Sequence, residues 1–163
     1  MKKDKFYFME MAIEQAKVAK GNKEVPVGAI VVLNGKIVGK GCNSVIANSD
    51  PTAHAEIVAI RDAGQKIKNY RLIEAEIYVS LEPCLMCYSA MVNARVKKLY
   101  YSAYDFKTGI FSTKKFEQLT NVYNHYIEVE EGILKDKSSE LLTDFFEVRR
   151  GAGAVERGGL ENR

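Results

Sequence analysis

The Asn34-Gly35 pair, which joins two apolar segments, constrains the fold more than any other feature of this sequence. The flanking segments are residues 25–33, VPVGAIVVL, and residues 36–41, KIVGKG. Asn and Gly accept the positive φ angles of a two-residue turn, so the two segments predict an antiparallel β-hairpin. A sheet that includes this hairpin cannot be wholly parallel.

Outside the hairpin, apolar residues at helical spacing predict several helices. The first runs from Met9 to Ala19, and Gly21 stands where it should end. A second helix is predicted over 50–64, because Asp50 suits its N-cap and Pro51 its first turn. Further helices are predicted from Pro83 to about Asn93, over residues 112–120, and near the end of the chain, where Leu141, Leu142, Phe145 and Val148 form an apolar stripe.

Three more segments predict strands, and they alternate with the helices. They are residues 75–81, 96–103 and 125–131, each rich in β-branched or aromatic side chains. Helices that alternate with strands are typical of a sheet covered on both faces. We therefore expect a three-layer α/β/α domain with a mixed sheet of about five strands.

Length and composition indicate one globular domain. The 163 residues, 47% of them hydrophobic, suffice for one substantial core but not for two ordinary domains. We expect the domain to span residues 1–150. Residues 151–163 are rich in glycine and show no periodicity, so they predict a flexible tail.

The sequence also narrows the compartment and the class of partner. Glu10 and Glu14 interrupt the apolar positions near the N-terminus, which argues against a secretory signal, and no apolar run is long enough to cross a membrane. Three cysteines are too few for a disulfide-stapled secreted domain, so we expect a cytoplasmic protein. The net charge of +3 permits a polyanionic partner without requiring one.

Four residues near the predicted starts of two helices form a candidate metal site. His54 and Glu56 belong to one helix, and Cys84 and Cys87 follow Pro83 in the other. The positive end of a helix favours thiolates, which are the form of cysteine that binds zinc. Two sulfurs and one imidazole give Zn²⁺ three protein ligands and leave a fourth position for water, as in catalytic zinc sites.

Glu56 has a chemical task in such a site. Two thiolates already neutralise Zn²⁺ and weaken its effect on bound water, so a nearby base that accepts the water proton becomes useful. A purely structural zinc site would need a fourth ligand, for which His125 and Cys42 remain open, but it would not need a carboxylate at position 56.

The His-x-Glu and Pro-Cys-x-x-Cys signature resembles that of the zinc-dependent deaminases. Longer motifs resemble the bacterial tRNA-specific adenosine deaminases over about residues 6–150. These motifs are Asp50-Pro51-Thr52-Ala53-His54-Ala55-Glu56, Asn69-Tyr70-Arg71-Leu72, Leu81-Glu82-Pro83-Cys84-Leu85-Met86-Cys87, Lys107-Thr108-Gly109, Glu131-Gly132-Ile133-Leu134, Asp144-Phe145-Phe146 and Arg149-Arg150. The resemblance implies the cytidine-deaminase-like fold, one Zn²⁺ per subunit, a homodimer, and conversion of adenosine to inosine at the wobble position of a tRNA anticodon loop.

The resemblance also implies roles for residues outside the metal site. Asn43 and the backbone N–H of Ala55 should hold the adenine, whereas the residues predicted to contact the rest of the RNA are Asp105, Lys107, Thr108, Phe145, Arg149 and Arg150. Of Phe145 and Phe146, at least one must pack inward. Bulky residues beside the Lys107-Thr108-Gly109 loop, Tyr101 before it and Ile110-Phe111 after it, depart from the family and leave the preferred sequence context open.

Two other functions remain open from the sequence. A free-nucleobase or nucleotide deaminase would share the zinc signature but act on small substrates. A zinc-stabilised RNA-binding module would bind RNA without releasing ammonia.

Overall fold

The computed structural model describes residues 2–151 and contains one five-stranded sheet. The elements in chain order are α1 (Lys5–Gly21), β1 (Gly28–Leu33), β2 (Lys36–Cys42), α2 (Ala55–Ile67), β3 (Glu76–Leu81), α3 (Leu85–Asn93), β4 (Lys98–Ala103), α4 (Lys115–Leu119), β5 (Glu128–Glu131) and α5 (Lys135–Gly151). The α/β fold class is confirmed. The predicted 1–150 boundary falls within the last turn of α5, and all of the predicted tail except Gly151 lies outside the described residues.

The sheet is mixed, and its strand order is β2-β1-β3-β4-β5. β1 pairs antiparallel with both β2 and β3, whereas β3, β4 and β5 run parallel. Asn34 and Gly35 have φ angles of 52° and 74°, as a tight hairpin turn requires. The predicted hairpin is therefore confirmed, although β1 begins only at Gly28.

Alternating side chains of the strands face two different helical layers. Ile30, Val32, Tyr78 and Tyr100 pack with α1 in one apolar cluster. Ala29, Val31, Ile77 and Val79 belong to a second cluster with residues of α2 and α3. This period-two alternation between two buried faces produces the three predicted layers.

Glycines allow α2 to lie directly on β2. A Cβ atom at Gly41 would stand 2.3 Å from the backbone oxygen of Ala55 and 2.4 Å from the nitrogen of Ala59. Gly39 has a similar relation to Ala59 and Ala63 farther along the helix. The absence of side chains at Gly39 and Gly41 thus determines how close the start of α2, which carries Glu56, comes to the end of β2.

We expect Gly41→Ala to destabilise the protein by about 1–3 kcal/mol, because the added methyl group meets helix backbone that cannot rotate away. Urea unfolding of the two variants Gly41→Ala and Gly21→Ala measures this effect. Gly21 is the matched control, since a Cβ atom there meets nothing within 4 Å. Equal stability of the two variants would show that α2 is not held by this close approach.

Candidate metal centre and active site

His54 lies immediately before α2 and is its N-cap residue. The predicted helix start at Asp50 is therefore wrong. Asp50 instead closes a turn by accepting hydrogen bonds from the Thr52 amide at 2.9 Å and the Thr52 hydroxyl at 2.7 Å, and these bonds lower the pKa of the Asp50 carboxyl. Because the chain turns before entering the helix, His54 occupies the mouth of α2 rather than its second turn.

Cys84 has the equivalent position at α3, where it is the N-cap residue, and Cys87 lies in the first turn. The Nδ1 atom of His54 lies 3.6 Å from the sulfur of Cys84 and 3.3 Å from the sulfur of Cys87. Cys87 is buried, while His54 and Cys84 are partly exposed. Two helix N-termini thus bring one imidazole and two sulfurs together at the surface of the core.

The geometry of this cluster fits zinc. All three ligand atoms lie within 4.8 Å of one another. Tetrahedral zinc with ordinary Zn–N and Zn–S bonds separates its nitrogen and sulfur ligands by about 3.5 Å, close to the two observed distances. Among the described residues, neither Cys42 nor His125 joins the group, and His125 contacts the carbonyl oxygen of Val96 at 2.7 Å instead. The protein therefore offers three ligands, as a catalytic zinc site does.

Glu56 lies in the first turn of α2 and is fully buried, with 0% of its surface exposed. Burial of a carboxyl group is costly unless the group is bonded or has a function. Glu56 follows the ligand His54 by two residues, and its helix is held against β2 by the close contact at Gly41. This contact fixes the position of the first turn of α2, from which the Glu56 side chain extends.

Asn43 follows the last residue of β2, is 1% exposed, and has no hydrogen-bond partner for either its side-chain oxygen or its side-chain nitrogen. The neighbouring Ser44 amide bonds the carbonyl oxygen of Ala53, which fixes Asn43 close to the mouth of α2. Ala55 is the first residue of α2, where backbone N–H groups have no acceptor within the helix. Asn43 and Ala55 therefore offer unused polar groups to a ligand near the cluster.

The loop after β4 contains its own hydrogen-bond network. The Asp105 carboxylate accepts hydrogen bonds from the amides of Lys107 and Thr108, both at 3.0 Å, and from the Thr108 hydroxyl at 2.7 Å. These internal bonds shape the loop, and the contacts of Asp105 and Thr108 with RNA remain predictions. Lys107 stays exposed, and so does Phe106 at 79%, a residue to which the sequence motifs gave no role.

Comparisons with known proteins agree with this site. Residues 2–103 match the family model of the cytidine and deoxycytidylate deaminase zinc-binding region. The tRNA-specific adenosine deaminase of Buchnera aphidicola subsp. Schizaphis graminum is 42% identical over 88% of this chain and 95% of its own length, and that of Haemophilus influenzae is 41% identical over 94% and 90%. This chain belongs to the tRNA-specific adenosine deaminase family.

A solved structure supports the assignment to the tRNA-specific adenosine deaminases. It comes from work on A-to-I editing by tRNA:A34 deaminases at the wobble position of transfer RNA, and it superposes with a TM-score of 0.78. It is 40% identical to this chain and covers 83% of this chain and 99% of its own. The resemblance drawn from the motifs is thus confirmed, as is the zinc cofactor of this deaminase family.

On the C-terminal helix α5, Phe145, which was predicted to contact RNA, is buried. Phe145 is only 7% exposed and packs in the main core, so its burial argues against base stacking by this ring. Phe146 is partly exposed, so it is better placed than Phe145 to stack against a base. The guanidinium of Arg149 lies 5.5 Å from the centre of the Phe145 ring, and Arg150 is exposed.

We expect Asn43→Leu to reduce deamination about 100-fold or more without lowering stability. An unpaired amide in the core costs about 1–3 kcal/mol, and an apolar side chain of similar shape removes that cost. The substituted protein would lack the side-chain amide of Asn43, and the adenine base would lose that hydrogen-bond partner. Thermal melting and single-turnover deamination should be measured on the same preparation. A variant that melts much lower than the parent, or that retains full activity, would contradict an adenine-binding role.

Proposed function

We propose that this protein hydrolyses adenosine to inosine at the wobble position of a tRNA anticodon. The observation that carries the proposal is the His54–Cys84–Cys87 cluster, with the fully buried Glu56 two residues after His54, in a chain 42% identical to a tRNA-specific adenosine deaminase. His54, Cys84 and Cys87 would hold Zn²⁺, which would polarise a water molecule for attack on the adenine ring.

Residues of the site carry out the proton transfers and orient the base. Glu56 takes a proton from the attacking water and gives it to the adenine ring nitrogen as the new C–O bond forms. It then takes the proton of the resulting hydroxyl group and passes it to the amino group, which leaves as ammonia when the C–N bond breaks. Asn43 and the Ala55 amide orient the base, since both offer polar groups at the mouth of α2. Burial of Glu56 keeps bulk water away from this exchange.

The RNA contacts follow from exposure and charge. Lys107 and Arg150 are exposed cations on the loop after β4 and at the end of α5, and both suit phosphate groups. Phe106, at 79% exposure, offers a ring on which an unpaired base can stack. Bases of an anticodon loop are already unpaired, so extracting one costs less than it would from a duplex.

We also propose that the enzyme is a homodimer located in the cytoplasm. Large apolar side chains are exposed on segments adjoining the site, namely Ile46 (62%), Leu85 (40%) and Phe106 (79%), and a partner subunit that covers some of them would narrow the entrance. Over residues 2–151, none of the helices has the length and apolar character that a membrane crossing needs. Sedimentation equilibrium with and without RNA tests the subunit count.

The substrate assay compares an anticodon stem-loop that carries a wobble adenosine with free adenosine, cytosine and guanine. We expect inosine and ammonia from the stem-loop alone, with the rate falling as salt rises, because phosphate contacts release counterions. Product from a free base alone would replace this proposal with a nucleobase deaminase. Binding of the stem-loop without ammonia release would leave a zinc-stabilised RNA-binding module.

A further inference from the structure

Glu82 is a buried acid outside the reaction described above. It lies between the last residue of β3 and Pro83-Cys84, and 0% of its surface is exposed. None of the ion pairs among the described residues includes it. A buried carboxylate without a cation must be stabilised by hydrogen bonds.

The hydrogen-bond donors that the structure shows at the Glu82 carboxylate all belong to the segment 105–112, which we call the KTG loop. One carboxylate oxygen accepts hydrogen bonds from the amides of Phe111 and Ser112 at 3.0 and 2.8 Å. The other accepts from the Asp105 amide at 3.2 Å and from the Ser112 hydroxyl at 2.5 Å. One side chain thus bonds both ends of the loop at once.

The same loop is bonded to the metal-ligand turn. The Ile110 amide donates to the carbonyl oxygen of Pro83 at 3.0 Å, and Gly109 forms an antiparallel bridge with Cys84. The Glu82 amide donates to the carbonyl oxygen of Ala103 at 2.9 Å, at the end of β4. The KTG loop and the Pro83-Cys84 turn are therefore parts of one hydrogen-bonded unit with Glu82 at its centre.

Gly109 shows how closely this unit is packed. A Cβ atom there would lie 2.1 Å from a carboxylate oxygen of Glu82 and 2.4 Å from the carbonyl oxygen of Asp105. A side chain at position 109 would force the carboxylate or the loop to move. The loop backbone and the Glu82 side chain thus fit only because residue 109 is glycine.

We propose that Glu82 is a positioning residue that sets the distance between the KTG loop, which holds the nucleotides beside the target adenosine, and the metal centre at Cys84. The proposal rests on the proposed function for the role of the loop. Glu82 itself does not touch the substrate. It lets contacts made by Lys107 and Phe106 place the target base accurately over the cluster.

The test is Glu82→Gln, with Glu24→Gln as its matched control. Glu24 is also buried, at 1% exposure, but its carboxylate receives a single donor, the Ile46 amide, which lies 2.9 Å from one oxygen and 3.3 Å from the other, so a glutamine oxygen can keep the shorter bond. At Glu82 both oxygens face donors, and a glutamine places its NH₂ group against at least one of them. The same change of one atom therefore deprives at least one donor of the KTG loop of its acceptor at position 82, whereas the Ile46 amide keeps an acceptor at position 24.

Hydrogen exchange measures the loop without reference to activity. We expect the amides of Phe111 and Ser112 to exchange at least about tenfold faster in Glu82→Gln than in the parent or in Glu24→Gln, since they lose hydrogen bonds to a charged carboxylate. Bound zinc should stay at the level of the parent. Gly109→Ala displaces the same carboxylate while keeping its charge, so it should give the same exchange pattern. It replaces Glu82→Gln as the test if that variant does not fold.

Kinetics on the stem-loop then test the positioning role. We expect KM to rise about tenfold or more and kcat to fall less than about threefold, because the loop acts on binding and the zinc ligands are intact. Unchanged exchange in both variants would overturn the proposal, and so would faster exchange with equal losses in kcat and kcat/KM. If no parent activity is found on any RNA, the exchange result still decides whether Glu82 holds the loop, which separates this failure from failure of the proposed function.

Discussion

Glu56→Gln should remove inosine formation almost completely while leaving zinc bound. A general acid–base residue contributes about 100- to 10,000-fold to rate, and Glu56 is expected to serve in more than one proton transfer, so we expect a loss at the upper end of that range. Glutamine has the shape of the buried side chain, which at 0% exposure has no room for a larger one. Single-turnover assays with the anticodon stem-loop and metal analysis of the same sample provide the measurement.

The matched control for Glu56→Gln is Asp62→Asn, on the same helix. Asp62 lies far from the metal ligands, where it accepts bonds from the Lys40 amide and from the Lys66 ammonium, both at 2.9 Å. Its replacement should leave turnover within about twofold, since a surface ion pair contributes little. Activity of Glu56→Gln near that of Asp62→Asn would remove Glu56 from the proton pathway.

Cys87→Ser should reduce the zinc affinity by more than about 100-fold. Replacing a residue that only hydrogen-bonds a metal ligand typically costs about 10- to 100-fold, and replacing the ligand itself should cost more. Cys87 is fully buried and lies 3.3 Å from the imidazole of His54, so serine keeps the packing but replaces a thiolate with a poor ligand. Deamination should fall with the zinc content. The melting temperature should fall as well, because a metal that binds the native state stabilises it.

Cys42→Ser is the corresponding control at the third cysteine. Its sulfur lies 3.9 Å from the Ser44 hydroxyl and outside the His54–Cys84–Cys87 group. The variant should therefore retain zinc and respond to a chelator as the parent does. Loss of zinc from Cys42→Ser, or full zinc content in Cys87→Ser, would show that the ligand set is different.

The structure revised the helix start that the sequence predicted. Asp50 and Pro51 have the features of an N-cap and a first turn, but the Asp50 side chain bonds Thr52 and closes a local turn instead. Asp and Asn serve turns and helix caps by the same hydrogen bond, so a local pattern does not distinguish the two. The helix begins only at Ala55, which leaves His54 at its mouth.

The sequence by itself determined the hairpin, the alternation of helices with strands and the metal ligands. Each of these depends on local chemistry: Asn34-Gly35 admits positive φ angles, apolar spacing selects the element type, and thiolate and imidazole groups select zinc. Each motif is only a few residues long, although the two motifs of the metal signature place His54 and Cys84 30 residues apart in the chain.

Only the tertiary structure decided which groups near the site are available to a ligand. The Asn43 side chain has no hydrogen-bond partner in the core, the Asp105 carboxylate is hydrogen-bonded within its own loop, and Phe145 is buried. Glu82 bonds a segment that begins 23 residues later in the chain. Burial and hydrogen bonding depend on neighbours that are distant in sequence. A motif therefore identifies the residues of a site but not the groups to which those residues are hydrogen-bonded.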